Sequence, residues 1–246
     1  MRELGREMAT GALQDARRLC DQDQVFTLHG KEWHQLAGVV GSEYNTSTGL
    51  FAEWLPYAGA VSMLEMGCGC GVAAVTGALA GCREVVAVDI NPHAVASARL
   101  NAERYGVGDR VDCVASDLFA GVDPNARFDL VFWNSPFIDG DTERADGDYF
   151  ADHFFDPGYR LHERFLTELP QRLTDGGRAF LGFSSAMGDA DEVAAIAKRN
   201  GMDMRPFRSE SFSVPQHEMG TAEVFRRAAD ERGEIVIDLS LVELVR

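Results

Sequence analysis

The chain has 246 residues, 46% of them hydrophobic, and carries a formal net charge of −16. That length fits one α/β domain with a modest extension, and the apolar fraction is ordinary for a globular protein with a sizeable core. The acidic balance repels polyphosphate partners at long range, so nucleic acid is disfavoured as a partner.

No run approaches the roughly 18 apolar residues of a membrane span, and the opening MRELGREMATG lacks the apolar core of a signal peptide. The expectation is a cytoplasmic protein without membrane contact. Cys20, Cys68, Cys70, Cys82 and Cys113 are an odd set with no second ligand pair beside Cys68-x-Cys70, so neither a disulfide framework nor a metal site is expected.

Taken in order, residues 1 to 23 place Met8, Leu13, Ala16 and Leu19 at helical spacing, which predicts a short amphipathic helix capping the domain. QVFTLHGKEWHQLAG reads as a β-hairpin turning at His29-Gly30-Lys31, with Val25, Thr27, Trp33 and Gln35 near the turn and His29 and His34 solvated. GSEYNTSTGLFAEWL is a polar loop running into a helix that Ser47 or Thr48 can cap, and Tyr44 and Thr46 lie where such a loop can fold over a ligand.

VSMLEMGCGCG, residues 61 to 71, ends an apolar strand in Glu65 and continues through Gly67, Gly69 and Gly71 into the helix-like VAAVTGALA. A buried strand, a tight turn and a helix N-terminus follow from that pattern. Glycines let the backbone turn sharply and let a ligand come closer than a Cβ permits, facing the free N–H groups of the helix. REVVAVDI ends a second strand at Asp89, DRVDCVASD a third at Asp117, and FDLVFWNSPF is a fourth. HERFLTELPQRL is a helix ended near Pro170, Asp175-Gly176-Gly177 a turn, RAFLGFSS a strand and ADEVAAIAKRNG a helix. Alternating βα units of this kind predict a doubly wound, mostly parallel sheet with ligands at the strand C-termini. MDMRPFRSESFSV and EIVIDLSLVELV then form an antiparallel terminal pair. The expected division is 1–59 for the helix, hairpin and cap, and 60–246 for the catalytic domain.

Acid-x-Gly-x-Gly-x-Gly resembles the cofactor loop of class I S-adenosylmethionine-dependent methyltransferases. Gly69, Gly71 and Ala74 also satisfy the dinucleotide pattern G-x-G-x-x-A, with Asp89 at the ribose distance, so the loop alone leaves a dehydrogenase open. Asn134-Ser135-Pro136-Phe137 is similar to the Asn-Pro-Pro-Tyr/Phe signature of methyltransferases acting on planar nitrogen, a motif for which a dinucleotide enzyme has no use. A conjugated nitrogen is a poor nucleophile; a side-chain oxygen at Asn134 and a carbonyl at Ser135 can accept its N–H bonds while Phe137 stacks on it.

The nearest subgroup in pattern is the release-factor glutamine methyltransferases with their small-molecule and ribosomal-RNA relatives, and the resemblance runs over about residues 25 to 245. It implies a Rossmann-like seven-stranded fold with a reversed last strand and S-adenosylmethionine as cofactor. It further implies that Glu65, Gly67, Cys68 and Gly69 hold the amino acid end, Asp89 and Ile90 the ribose, and Asp117 and Leu118 the adenine. Asn134 lies at both cofactor and acceptor.

Two departures shape the expected substrate. Ser135 stands where the signature has proline, and only about two dozen residues precede the hairpin, where the release-factor enzymes carry a larger helical domain. A small metabolite or natural product is therefore the expected acceptor of an N-methyl group; a protein glutamine, an RNA base amine, or a non-catalytic cofactor-binding subunit are the alternatives. The acidic stretch after Phe137, with seven acids against one arginine and with Tyr149 and Phe150, is expected to be a lid or recognition segment.

Overall fold

A computed structural model describes residues 2–41, 46–140, 148–219 and 222–246. Tyr44 lies outside the described residues. Helix α1 (Arg2–Leu19) leads into hairpin β1 (Gln24–Leu28) and β2 (Lys31–Gln35), then α2 (Thr46–Trp54). The core alternates β3 (Ser62–Met66), α3 (Val72–Ala80), β4 (Glu84–Asp89), α4 (Pro92–Arg104), β5 (Val111–Ala115) and β6 (Phe128–Asn134). After it come α5 (Phe150–Phe154), α6 (Arg160–Arg172), β7 (Leu173–Phe183), α7 (Ala190–Arg199) and β8 (Asp203–Pro215). The short helices α8 (Gln216–Met219) and α9 (Glu223–Ala228) precede β9 (Glu234–Val245).

The main sheet has seven strands in the order β5-β4-β3-β6-β7-β9-β8. Strands β3 to β7 pair in parallel, and β9 runs antiparallel to both β7 and β8. The reversed last strand distinguishes this sheet from an all-parallel dinucleotide fold. From β3 the chain winds out to β5 and returns to β6 on the other side, so the switch point and its crevice lie between β3 and β6.

Period-two alternation sends side chains to both faces. Met63 and Phe132 join Phe51, Trp33 and the small residues of α3 on one face. Leu64, Val131 and Trp133 join Phe165, Leu166 and Val193 on the other. With both faces covered, β3 is buried along its whole length, which is why it reads as a largely apolar run, with Ser62 and Glu65 its polar members.

Helix α1 buries Leu4, Ala9, Leu13 and Ala16 along one stripe. In the hairpin, Phe26 lies opposite Trp33 and both are buried, whereas Val25 is exposed. His29 and Gly30 have φ of 52° and 68°, the paired positive values of a two-residue hairpin turn.

The structure corrects two local readings and bears out a third. Helix α2 begins at Thr46, so neither Ser47 nor Thr48 caps it, and the Ser47 hydroxyl accepts instead from Asn134. Helix α6 ends, as expected, near Pro170, two residues on at Arg172. Proline removes one backbone donor, a loss confined here to the final turn. Asp175-Gly176-Gly177 is no separate turn but part of β7, at an irregularity where Phe128 pairs with Leu173 and Leu130 already with Arg178.

Strands β8 and β9 pair along their full length, but β7 pairs with β9 only from Ser240 to Leu244. The rest of the β8–β9 pair overhangs the sheet as a ribbon. Phe212, Val214, Ile237 and Leu239 share one face of it, since Phe212 lies opposite Ile237 and the others are two residues away.

Candidate active site

Two adjoining cavities open where β3, β4 and β6 end. The first is lined by Glu65, Gly67, Cys68, Gly69, Asp89, Ile90, Asp117, Leu118, Asn134 and Pro136, together with Tyr149 and Phe150. The second is lined by Thr46, Asn134, Ser135, Pro136 and Phe137. Every candidate residue among those described therefore falls on one cavity or the other, and Asn134, Pro136 and His153 belong to both.

The glycine turn explains the first cavity's floor. Gly67, Gly69 and Gly71 all have positive φ, of 62°, 52° and 75°. A Cβ on Gly71 would come within 2.8 Å of Ala98 Cβ, so the turn packs on α4, while above Gly69 there is open space. That space is where a ligand can approach the backbone.

The acids around this floor are individually wired. Glu65 accepts from the Ala74 amide at 2.7 Å, tying the strand end to the first turn of α3. Asp89 accepts from Gly69 at 2.9 Å and from Asn91 at 2.9 Å, so one carboxylate orients both the glycine turn and the start of α4. Asp117 lies just past β5 and pairs with Arg164 at 2.9 Å, half exposed. Next to it Leu118 has φ of 51°, an unfavourable value for leucine, braced by the Ser116 hydroxyl donating to its carbonyl at 2.6 Å.

Burial raises the Glu65 carboxyl to about 8, against the lowering effect of the Ala74 and Ala73 amides. Burial likewise lifts Asp89, again opposed by backbone donors. Among the described residues the lining of the first cavity holds Glu65, Asp89, Asp117 and Asp152 and no lysine or arginine. Such a lining favours a cation and repels a pyrophosphate. An S-adenosylmethionine with its sulfonium and ammonium fits this donor set and the bare backbone at Gly69; a dinucleotide does not.

The second cavity, of about 430 Å³, has a different character. Helix α1 contributes Met8, Ala9 and Ala12, the ribbon Phe212, Val214, Ile237 and Leu239, and the remaining wall includes Ile138, Phe154 and Met187. Among the described residues no acid, lysine or arginine lines it. At its junction with the first cavity the Asn134 amide donates to Ser47 Oγ at 3.0 Å, which fixes Oδ1 as the acceptor face of that side chain. Phe137 packs on Phe183 at 5.3 Å between ring centroids.

Sequence reasoning missed the walls of this second cavity. Helix α1 reads as a mere cap, and the ribbon's apolar face emerges only when β8 and β9 are seen to outrun β7. It also missed Phe26 and Val39 on the first cavity, whereas Asp152 and His153 there belong to the acidic stretch expected to be a lid. Arg6 pairs with Asp139 and Arg17 with Asp148, so α1 grips both flanks of the acidic stretch.

A sequence model of the methyltransferase small domain matches residues 33–196. The chain is 31% identical over 208 residues to the release factor glutamine methyltransferase of Bordetella pertussis, covering 76% of this chain and 73% of that one. It is 33% identical over 135 residues to a putative protein N5-glutamine methyltransferase of Methanocaldococcus jannaschii, covering 53% of this chain and 66% of the relative. Against other curated relatives, named for ribosomal protein L11 and release factor methylation, it spans about half of their length. Among solved structures, a 16S rRNA N2 methyltransferase of T. thermophilus in complex with AdoMet and guanosine superimposes with a TM-score of 0.57 at 19% identity, covering 92% of this chain and 50% of that one. At that identity the likeness speaks for the fold.

Proposed function

The chain belongs to the methyltransferase small domain family, whose cofactor is S-adenosylmethionine, and from that premise we propose that it methylates a planar nitrogen on a small, uncharged, largely apolar acceptor. The observation that carries this reading is the second cavity, whose described lining holds no acid, lysine or arginine, meeting the acid-lined first cavity at Asn134. When bound, the cofactor supplies an electrophilic methyl group on a sulfonium.

The protein's own residues bind and orient. In this reading Asp89 accepts from the ribose hydroxyls, Asp117 and Leu118 border the adenine, and Glu65 with the turn from Gly67 to Gly69 holds the ammonium end. Asn134 Oδ1 and the Ser135 carbonyl accept the two N–H groups of an amide or arylamine, aligning its lone pair with the methyl. Phe137 stacks on the planar group. Held in line and shielded from water, the nitrogen needs no strong base until its proton leaves.

A second reading, methylation of a protein glutamine, is favoured by the relatives named for glutamine methylation. The second cavity also admits a neutral glutamine amide. An RNA acceptor is less supported: of the basic residues near the C-terminus, Arg226 pairs with Glu223 and Arg227 with Glu3.

Labelled S-adenosylmethionine offered with benzamide, 2-naphthamide, aniline and 1-naphthylamine, and separately with an acetylated glutamine tripeptide, separates the two. Label on the arylamides or arylamines in excess of the peptide is the expected result. Label on the peptide alone transfers the assignment to the second reading, and label on neither class refutes both.

The raised Glu65 pKa gives the binding step a pH dependence. Below about 8 the buried acid keeps its proton, and seating an ammonium beside it must expel that proton. Affinity for S-adenosylhomocysteine is therefore expected to rise with pH, by up to about tenfold per unit between pH 6 and 8, and to level off above. Titration in buffers of different ionisation enthalpy should show proton release, and Glu65→Gln should flatten the profile. A flat wild-type profile would contradict contact between Glu65 and the ammonium.

A further inference from the structure

Ser135 occupies the position that the family signature gives to proline, and the structure shows what its hydroxyl does. Ser135 Oγ donates to the carbonyl of Gly182 on β7 at 3.1 Å and stands 3.0 Å from His162 Nε2 on α6. His162 Nδ1 in turn lies 2.7 Å from Asp156 Oδ2. Asp156 also accepts from the Leu161 and His162 amides at 2.9 and 3.0 Å, so the same carboxylate closes the first turn of α6. His162 and Asp156 have no exposed surface, and Ser135 is 4% exposed. Trp133 packs against the His162 ring at 4.9 Å between centroids.

Ser, His and Asp in this order are the residue types of a hydrolase triad. Here both partners of the serine are sealed from solvent, and Oγ is held between a strand carbonyl and an imidazole. The arrangement holds a backbone in place; it does not expose a nucleophile. The far end of the turn is pinned separately, by the Tyr159 hydroxyl donating to the Phe137 carbonyl at 3.0 Å while accepting from the Asp189 amide at 2.7 Å.

We propose that Asp156, His162 and Ser135 form a buried positioning chain that replaces the missing proline ring, fixing the turn from Asn134 to Phe137 and with it the carbonyl of Ser135. The proposal rests on the reading of Asn134 and the Ser135 carbonyl as the acceptor grip, but the chain itself is testable without any acceptor. A proline at position 135 limits the turn through its own φ, so ring and hydrogen-bonded chain are alternative means to one end. Loss of a buried partner alone would harm Ser135→Ala and Ser135→Pro alike, because both leave His162 and the Gly182 carbonyl without the hydroxyl. Only a role in locking the turn separates them.

The test is hydrogen–deuterium exchange of the Asn134, Phe137 and Ile138 amides with saturating S-adenosylhomocysteine, in wild type, Ser135→Ala, Ser135→Pro, His162→Gln and Ser135→Pro/His162→Gln. Exchange at these amides is expected to quicken at least tenfold in Ser135→Ala and in His162→Gln, and to return to within about threefold of wild type in Ser135→Pro and in the double variant. Affinity for S-adenosylhomocysteine should stay within about twofold throughout. On whichever of the four arylamide and arylamine probes wild type labels, kcat should follow the same order with KM for S-adenosylmethionine unchanged. Exchange in Ser135→Ala equal to wild type, or Ser135→Pro as loose as Ser135→Ala, overturns the proposal. Those outcomes read the turn directly and differ from a failure to label any probe, which bears on the acceptor assignment alone. Should His162→Gln fail to fold, the two Ser135 variants decide.

Discussion

Replacing Asp89 with asparagine is expected to weaken S-adenosylhomocysteine binding by about a hundredfold. The carboxylate is held by the Gly69 and Asn91 amides, which direct its oxygens into the first cavity's floor. Hydrogen bonds to a charged acceptor contribute about 1.5–3 kcal/mol each. An asparagine keeps the shape but loses the charge and turns one acceptor into a donor, so the loss of about 3 kcal/mol, or two powers of ten, follows from the pair of ribose hydroxyls. Calorimetric titration measures it, with NAD in a parallel cell. NAD should bind neither protein, because a pyrophosphate would face Asp89, Asp117 and Asp152 without one lysine or arginine among the described lining residues. Unchanged affinity, or binding of NAD in place of S-adenosylhomocysteine, would remove Asp89 from the role assigned to it.

The first cavity was legible because its chemistry sits in contiguous patterns. Glu65 and the glycines occupy a few adjacent positions, Asp89 and Asp117 mark strand ends, and a parallel sheet brings such ends together whatever the details of packing. The doubly wound parallel sheet followed from the same alternation, and the reversed β9 from the terminal strand pair and the family resemblance. Packing at a distance was not legible. Nothing local in Phe212 or Ile237 says that β8 and β9 overhang β7 and wall a cavity with Met8 and Ala9, which lie some 200 residues away in sequence. The glycine pair at 176 and 177 looked like a turn and is a strand irregularity, since a Cβ on Gly177 would strike the Phe128 carbonyl at 2.5 Å. Ser135 looked like a weakened signature. Its compensation comes from His162, 27 residues on and separated from it by the whole acidic stretch, which no spacing rule connects.

Asn134→Ala is expected to lower kcat by about a thousandfold while changing affinity for S-adenosylhomocysteine by less than about threefold. The side chain accepts from the acceptor nitrogen only when that nitrogen is in place, so its loss falls on the transfer step; an oriented polar contact of this kind is worth about two to three powers of ten in rate. The Ser47 bond that orients the amide should matter in the same sense and by less, as the carbonyl oxygen remains. Asn134 also borders the first cavity, and the small expected change in affinity reflects that edge contact.

The most direct measurement is transfer of a 13C-labelled methyl group from S-adenosylmethionine to the apolar amide and amine probes, by wild type and by Asn134→Ala, with the product read by NMR. Expected is a carbon resonance in the N-methyl range for wild type and its loss for Asn134→Ala, with cofactor affinity retained. A methyl found on oxygen or carbon, or equal transfer by the two proteins, would contradict the assignment of Asn134 as the grip on a planar nitrogen.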